Sequence, residues 1–139
     1  MVLTISEADV ARVLKYDQLI PAMETALMTF SAGQIIQPVR NMLTIEEGNR
    51  FLGIMPAVAP EGMGAKLVCF YPKNSGSRLP THLAMIVLFQ PETGEPLAFL
   101  NGRLITEMRT AVTSAAVTRH LSPEATAWSV FSKLAQTKF

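Results

Sequence analysis

The chain has 139 residues, which is enough for one hydrophobic core and too few for two independent cores. With 49% hydrophobic residues, 17% charged residues and a formal net charge of +1, it is too apolar for a disordered segment and has no basic footprint for nucleic acid or an anionic membrane. Cys69 is the single cysteine, which excludes an intrachain disulfide and a cysteine-based metal cluster and suits a reducing, cytoplasmic setting.

The beginning of the chain predicts two helices. Ser6 followed by Asp9 approximates a capping box, after which a short helix is expected. Apolar residues recur at helical spacing from Ile20 to Phe30 and Gly33 supplies a stop, so a second helix is predicted near residues 18–31. The first residues are acidic where a signal peptide would be basic, and no apolar run approaches the ~18 residues of a spanning helix. We therefore expect a soluble protein without a membrane partner.

From Ile35 onwards the pattern changes to β-branched and aromatic runs bounded by Gly, Pro and Asn. Five strands are predicted, over residues 35–45, 51–57, 64–71, 83–90 and 96–101. The link 91–96 carries Gly94 where a positive φ is needed, a hairpin signal that favours antiparallel pairing. Loop 72–80 is polar and contains glycine, which suits either a functional loop or a plain solvated connection.

A third helix is predicted from about Thr106 to His120, with Pro123 beyond its end. Its small residues would let another helix or the sheet approach closely, although alanine also simply favours a helix. His120 is interpreted as a charge partner for the C-terminal end of this helix. Together these elements predict an α+β fold with N-terminal helices packed on a mostly antiparallel sheet.

Three cations lie in apolar surroundings. Lys66 has apolar neighbours on its face of a strand, which suits either a surface lysine laid along that face or a functional amine. Arg40 follows an apolar run, and its planar guanidinium fits a carboxylate. With Thr106 as N-cap, Arg109 is expected in the first turn of the third helix, where the helix terminus and the guanidinium would act together on an anion. Three cations converging on one anion would form a specific site.

The two histidines do not indicate a metal site. The sequence around His82 is consistent with three roles: a proton donor, a hydrogen-bonding residue or a histidine of the core. It has no second histidine at ligand spacing, so metal catalysis has no support in the sequence.

Six segments resemble, in the same order, the N-terminal domain of the ornithine cyclodeaminase/mu-crystallin family. They are IIQPVRNML, FLGIMPAVAP, GAKLVCFYP, GSRLPTHLAMIVLF, ETGEPLAFLNGRLIT and MRTAVTSAAVTRHL. The resemblance covers about residues 3–123, and collinear segments over such a length are more specific than a single motif. The QPVR and LGIMPA segments are most similar to the ketimine reductase members of the family.

The resemblance implies a site for the carboxylate of a cyclic imino acid or amino acid, formed by Arg40, Lys66 and Arg109, with Lys66 also catalytic. This agrees with the anion argument made from the three cations themselves. Family members reduce cyclic ketimines such as Δ1-piperideine-2-carboxylate with NADPH or NADH. The mu-crystallin branch also binds thyroid hormone, whose carboxylate would use the same cations.

The resemblance also implies the surroundings of this site. Thr81 and His82, together with Arg109, are expected to approach the nicotinamide of the cofactor, and Met55 and Phe70 are expected to line the substrate pocket. Because the family joins such sheets across a two-fold axis, a homodimer is expected.

The end of the chain departs from the family pattern. In the family a nucleotide-binding domain with a glycine-rich pyrophosphate turn follows, whereas no glycine occurs here after Gly102. We therefore expect a substrate-binding and dimerisation domain over residues 1–123, and an atypical C-terminal tail over residues 124–139 in place of the nucleotide-binding domain.

The expected function is that of a truncated NAD(P)H-dependent ketimine reductase that is inactive alone, because the means of holding the hydride donor are missing. One alternative is a non-enzymatic form that binds thyroid hormone or pairs with full-length subunits. Another is membership of the ornithine cyclodeaminase or alanine dehydrogenase branch of the family.

Overall fold

The computed structural model describes residues 1–121, which form an α+β fold of helices packed on a mostly antiparallel sheet, as predicted. The elements are β1 (Leu3–Ile5), α1 (Glu7–Val13), α2 (Tyr16–Ser31), β2 (Asn41–Glu46), β3 (Arg50–Ala59), β4 (Gly62–Phe70), a 3-10 turn (Pro72–Asn74), β5 (His82–Phe89), β6 (Pro96–Asn101) and α3 (Arg103–Leu121). The boundary predicted at residue 123 and the predicted tail, residues 124–139, lie outside the described residues.

The six strands form one sheet in the order β1-β6-β5-β4-β3-β2. From β2 to β6 every strand pairs antiparallel with the next one in the chain, and β1 pairs parallel with β6. The predicted hairpin between β5 and β6 is confirmed, and Gly94 adopts the expected positive φ of 72°. This arrangement places β4 in the interior of the sheet, with two strands on one side and three on the other.

Helix α3 contacts α1 and α2 and lies against β5. The predicted capping box is confirmed, because the Ser6 side chain accepts from the Asp9 N–H while Asp9 accepts from the Ser6 N–H. We call the helix-covered side of the sheet the helix face. The buried apolar side chains between helices and sheet are Val10, Val68, Ala98, Met108, Val112 and Ala116.

Gly102 lets the start of α3 lie close to β5. A Cβ on this glycine would come 3.1 Å from Ala84 Cβ and 3.2 Å from Ile86 Cγ1, which is tighter than ordinary contact. The Gly102 N–H donates to the Ala84 carbonyl over 2.8 Å, and the Gly102 carbonyl accepts from Thr106 over 2.9 Å. The helix therefore begins at Arg103, on the same face of the sheet as Ile86.

The opposite side of the sheet, which we call the open face, is apolar and is not covered by any of the elements within residues 1–121. Strand alternation and register place one row of side chains across four strands of this face: Leu43, Leu52, Cys69 and Leu83. A neighbouring row contains Leu67 and Met85, which are 37% and 51% exposed. Isolated apolar residues at a surface are ordinary, whereas contiguous rows mark a surface that meets a partner.

The structure corrects three details of the sequence-based prediction. The strand predicted over residues 35–45 begins only at Asn41; Pro38 lacks an N–H donor, and Ile36 forms an isolated bridge to Val58 instead. Strand β1 was not predicted. The third helix begins three residues earlier than expected. None of the helices within residues 1–121 is long and apolar enough to cross a membrane.

Candidate functional site

Lys66 lies in the interior of the sheet on its helix face. Its cross-strand partners are Met55 on β3 and Ile86 on β5, and Ile86 approaches Gly102 at the start of α3. The side chain of Lys66 is half-buried, and this burial lowers the pKa of its ammonium. Positive charge on Arg109 and on Arg40 lowers that pKa further. Keeping the Lys66 ammonium charged in the folded protein therefore costs more free energy than it would for an exposed lysine at the edge of the sheet.

The two arginines approach Lys66 from different elements. Arg109 lies on α3, and Arg40 lies immediately before β2, at the far side of the sheet from β6. Both are exposed, and both act electrostatically on the Lys66 ammonium. The two arginines thus act on the same lysine from a helix and from the connection before β2, and their convergence on one anion stays a prediction.

Within residues 1–121 no acidic side chain forms an ion pair with Lys66, Arg40 or Arg109. Other arginines of the described part do have acidic partners, among them Arg12, Arg50 and Arg103. Three neighbouring cations without a counter-charge repel one another and favour an anion between them. We call Lys66, Arg40 and Arg109 the cation cluster.

His82 begins β5 beside this cluster. Burial lowers the pKa of its imidazole, and the charge of Lys66 lowers it further, with smaller contributions from Arg103 and Arg109. Glu107 acts in the opposite direction. The imidazole therefore favours its neutral form, which has one nitrogen donor and one nitrogen acceptor.

The remaining predicted residues lie close to His82 and Lys66 in the sheet. Phe70 is the cross-strand partner of His82, and its ring stacks on Phe51 with 5.2 Å between ring centroids. Met55 lies opposite Lys66. The carbonyl of Thr81 accepts from the Tyr71 N–H over 2.8 Å, which closes the loop between β4 and β5. Strand register places Met55, Phe51 and Phe70 on the helix face together with Lys66 and His82.

An ion-pair network fixes the first turn of α3 beside the site. The Nε of Arg103 donates to Glu7 Oε2 over 2.9 Å, and its Nη1 donates to Glu107 Oε1 over 3.0 Å. The hydrogen bond from Arg103 lowers the pKa of the Glu7 carboxyl despite its partial burial. This network joins α1 to α3 and places Glu107 near His82.

A second network anchors the loop that leads to Thr81. Lys73 Nζ lies 3.4 Å from Glu46 Oε1, and Arg50 Nε lies 2.9 Å from Glu46 Oε2. The Arg50 guanidinium also lies over the Tyr71 ring, 5.9 Å from its centroid. Loop 72–80 is thus joined at its start to the β2–β3 hairpin, and the Asn74 side chain donates to the Pro80 carbonyl at its end.

The position of Arg109 differs from the prediction in one respect. Because α3 begins at Arg103, Arg109 lies in the second turn and Thr106 is not the N-cap. The Arg103 N–H instead donates to the Asn101 side chain over 3.1 Å. The prediction that the N-terminus of α3 assists Arg109 is therefore wrong.

A family model described as the ornithine cyclodeaminase/mu-crystallin family matches residues 1–136. The chain belongs to this family. The resemblance seen in the sequence is thereby confirmed.

Three of the relatives carry the names of oxidoreductases. Ketimine reductase mu-crystallin of Rattus norvegicus is 42% identical over 110 residues, which cover 76% of this chain and 35% of that protein. The structure of Thermococcus litoralis Delta(1)-pyrroline-2-carboxylate reductase in complex with NADH and L-proline matches with a TM-score of 0.84 and 32% identity over 88% of this chain and 39% of that one. An archaeal alanine dehydrogenase dimer with bound NAD matches with a TM-score of 0.85 and 25% identity over 99% of this chain and 46% of that one.

The chain spans about 35% of the length of the mu-crystallin relative. It corresponds in fold to less than half of each of the two solved structures. The similarity to the family thus covers the part of its members that contains the sheet and the three helices.

Sequence reasoning missed the residues around the cation cluster. Glu7, Arg103 and Glu107 were not singled out, although the spacing of Arg103 and Glu107 allows an i,i+4 ion pair on a helix. Their link to Glu7 could not be seen, because it joins residues 96 positions apart. Within the described residues no group of three or more His, Cys, Asp or Glu side chains could hold a metal ion.

Proposed function

We propose that the cation cluster binds the carboxylate of a cyclic imino acid, as part of an NAD(P)H-dependent reductase acting on a C=N bond. The carrying observation is that the charges of Arg40 and Arg109 both act on the half-buried Lys66, and that none of the three has an acidic partner within residues 1–121. A carboxylate offers two oxygens to two cations, and Arg in particular binds it through paired N–H groups. The names of the relatives, a ketimine reductase and a pyrroline-carboxylate reductase, support this substrate class.

In this proposal each residue near the cluster has a distinct task. Arg40 and Arg109 hold the carboxylate, and Lys66 lies between them as the group nearest to the neighbouring C=N bond. Met55 and Phe70 provide apolar surface for the ring of the substrate. Bound NAD(P)H would supply the hydride, and we place Thr81, His82 and Arg109 beside its nicotinamide.

Calorimetric titration with pyrrole-2-carboxylate, a planar cyclic carboxylate that cannot be reduced by hydride, tests this proposal. The 139-residue protein should bind it, and Arg109→Met should weaken binding tenfold or more, since a hydrogen bond to a charged group contributes roughly 1.5–3 kcal/mol. Arg12→Met is the matched control, because Arg12 pairs with Asp9 on α1. Equal binding of pyrrole-2-carboxamide, which lacks the charge, would contradict the proposal.

Turnover is a separate question from binding. A polypeptide of these 139 residues has no glycine after Gly102 with which to form a pyrophosphate turn. Positioning of the reacting groups contributes roughly 7–11 kcal/mol of barrier lowering in well-oriented systems. We therefore expect this polypeptide to bind a cyclic carboxylate without oxidising NADPH in the presence of Δ1-piperideine-2-carboxylate. Rat ketimine reductase mu-crystallin is the positive control, and turnover within tenfold of it would overturn this expectation.

We also propose that the chain forms a homodimer through the open face. The contiguous rows of the open face contain three exposed apolar side chains, Leu67, Leu83 and Met85. Two copies of the same apolar surface can cover each other across a two-fold axis.

A further inference from the structure

Lys66 has surroundings that suit a nucleophilic amine. It is the one lysine of residues 1–121 that is half-buried; Lys15 and Lys73 are exposed. Lys73 pairs with Glu46, and the Lys15 ammonium donates to the Ala11 carbonyl over 3.3 Å. Lys66 forms no hydrogen bond or ion pair with any of these described residues, so its nitrogen has no polar partner among them.

We propose that Lys66 forms a Schiff base with a small α-keto acid whose carboxylate is held by Arg40 and Arg109. This inference rests on the proposed carboxylate site and adds a covalent reaction to it. The lone pair of the Lys66 nitrogen attacks the keto carbon and forms a C–N bond. The nitrogen then loses its two protons to the former carbonyl oxygen, which leaves as water, and a C=N bond remains. No oxidant or reductant is consumed.

Three features of the cluster favour this reaction. Burial and the two neighbouring guanidiniums lower the pKa of the Lys66 ammonium, which increases the share of neutral, nucleophilic amine. A carboxylate on the two arginines would hold the adjacent keto carbon close to that amine, which raises its effective concentration. The product has a C=N bond next to a carboxylate, the same pair of groups as in the cyclic imino acids proposed above.

Reductive trapping tests the inference. The 139-residue protein is incubated near neutral pH with pyruvate and cyanoborohydride, which reduces the imine to a stable secondary amine, and the modified lysines are found by peptide mass mapping. We expect modification at Lys66 at least tenfold above that at Lys15 and Lys73. Acetone, which has the ketone but no carboxylate, should show no such preference.

Arg109→Met and Arg40→Met should each reduce the Lys66 modification about tenfold or more, while Arg12→Met should leave it unchanged. A circular dichroism spectrum of each variant establishes that it is folded. A measurement on the unaltered protein does not depend on any variant: pyrrole-2-carboxylate should protect Lys66 from pyruvate, because both need the same two arginines.

The outcomes separate this inference from the proposed function. Binding of pyrrole-2-carboxylate without preferential modification of Lys66 would overturn the Schiff base and leave the carboxylate site intact. Absence of both would overturn both. Modification of Lys66 that is equal with pyruvate and acetone, or that pyrrole-2-carboxylate does not block, would show a reactive amine without a carboxylate site and would also overturn the inference.

Discussion

At the scale of single residues, the like charges of the cation cluster oppose folding of the unliganded protein and would favour the binding of an anion. Lys66 is partly desolvated beside two like charges, which disfavours its charged form in the folded protein. An isolated chain without a bound anion therefore carries an electrostatic cost at the point where it is proposed to bind. Such a cost is typical of sites whose charges are arranged for a ligand and not for folding.

We expect Lys66→Met to make the fold more stable near neutral pH. The variant keeps an unbranched side chain between Met55 and Ile86 and removes the charge repelled by the two arginines. Because the ammonium is about half-exposed and screened by solvent, the gain should be on the order of 1 kcal/mol or less. Urea unfolding gives the free energy of unfolding, with Lys73→Met as the control that loses an exposed ion pair. A clear loss of stability in Lys66→Met would show that the cations are not in conflict.

His82 should make stability depend on pH. Burial and the Lys66 charge place the pKa of His82 below the ordinary imidazole value, so the unfolded chain takes up this proton at a higher pH than the folded chain does. As the pH falls through the window between the two pKa values, the unfolded state is favoured. From about pH 7.5 to about pH 5.5, wild-type stability should therefore fall more than that of His82→Gln. Parallel urea curves at the two pH values test this, and an equal fall in both proteins would contradict it.

At the scale of elements, the contact between α3 and β5 determines where the helix that carries Arg109 lies against the sheet. Gly102→Ala would place a Cβ against Ala84 and Ile86, and both are held in the sheet, so α3 must shift outwards. We expect a loss of about 1–3 kcal/mol in the free energy of unfolding, as for an overpacked core, and weaker carboxylate binding.

Gly62→Ala is the matched control for this substitution, because a Cβ at Gly62 would meet nothing within 4 Å and its φ is not positive. Unfolding and calorimetric titration of both variants should separate a local clash from a general effect of alanine. Equal stability of the two variants would show that α3 can accommodate the extra carbon without moving.

The elements that follow from local pattern were predicted, and those that depend on distant partners were not. The capping box at Ser6 and the glycine turn at Gly94 were found, because their hydrogen bonds and backbone angles involve nearby residues. Strand β1 escaped prediction because its three residues pair with a strand 95 positions away. The convergence of the cations was predicted as a hypothesis, whereas the Arg103 network around them depends on tertiary contacts.

At the scale of the whole molecule, the open face is the surface through which we propose that the chain dimerises. Met85→Glu places a charge in the centre of its apolar rows, where pairing with a second copy would remove it from water. We expect wild type to sediment as a dimer and Met85→Glu as a monomer at the same concentration. Met28→Glu, on the exposed side of α2, should remain dimeric. A wild-type protein that stays monomeric from dilute to concentrated solution would contradict the proposed homodimer.

The topology of the sheet also indicates an order of folding. Strands β2 to β6 form a chain of hairpins between sequence neighbours, so each pairing closes only a short loop. The pairing of β1 with β6 must instead bring together Leu3 and Ala98, and the entropy lost on closing a loop grows with its length. We therefore expect the meander to assemble first and the N-terminal strand to join its edge afterwards. During synthesis, β1 therefore remains unpaired until β6, near the end of the described residues, has left the ribosome.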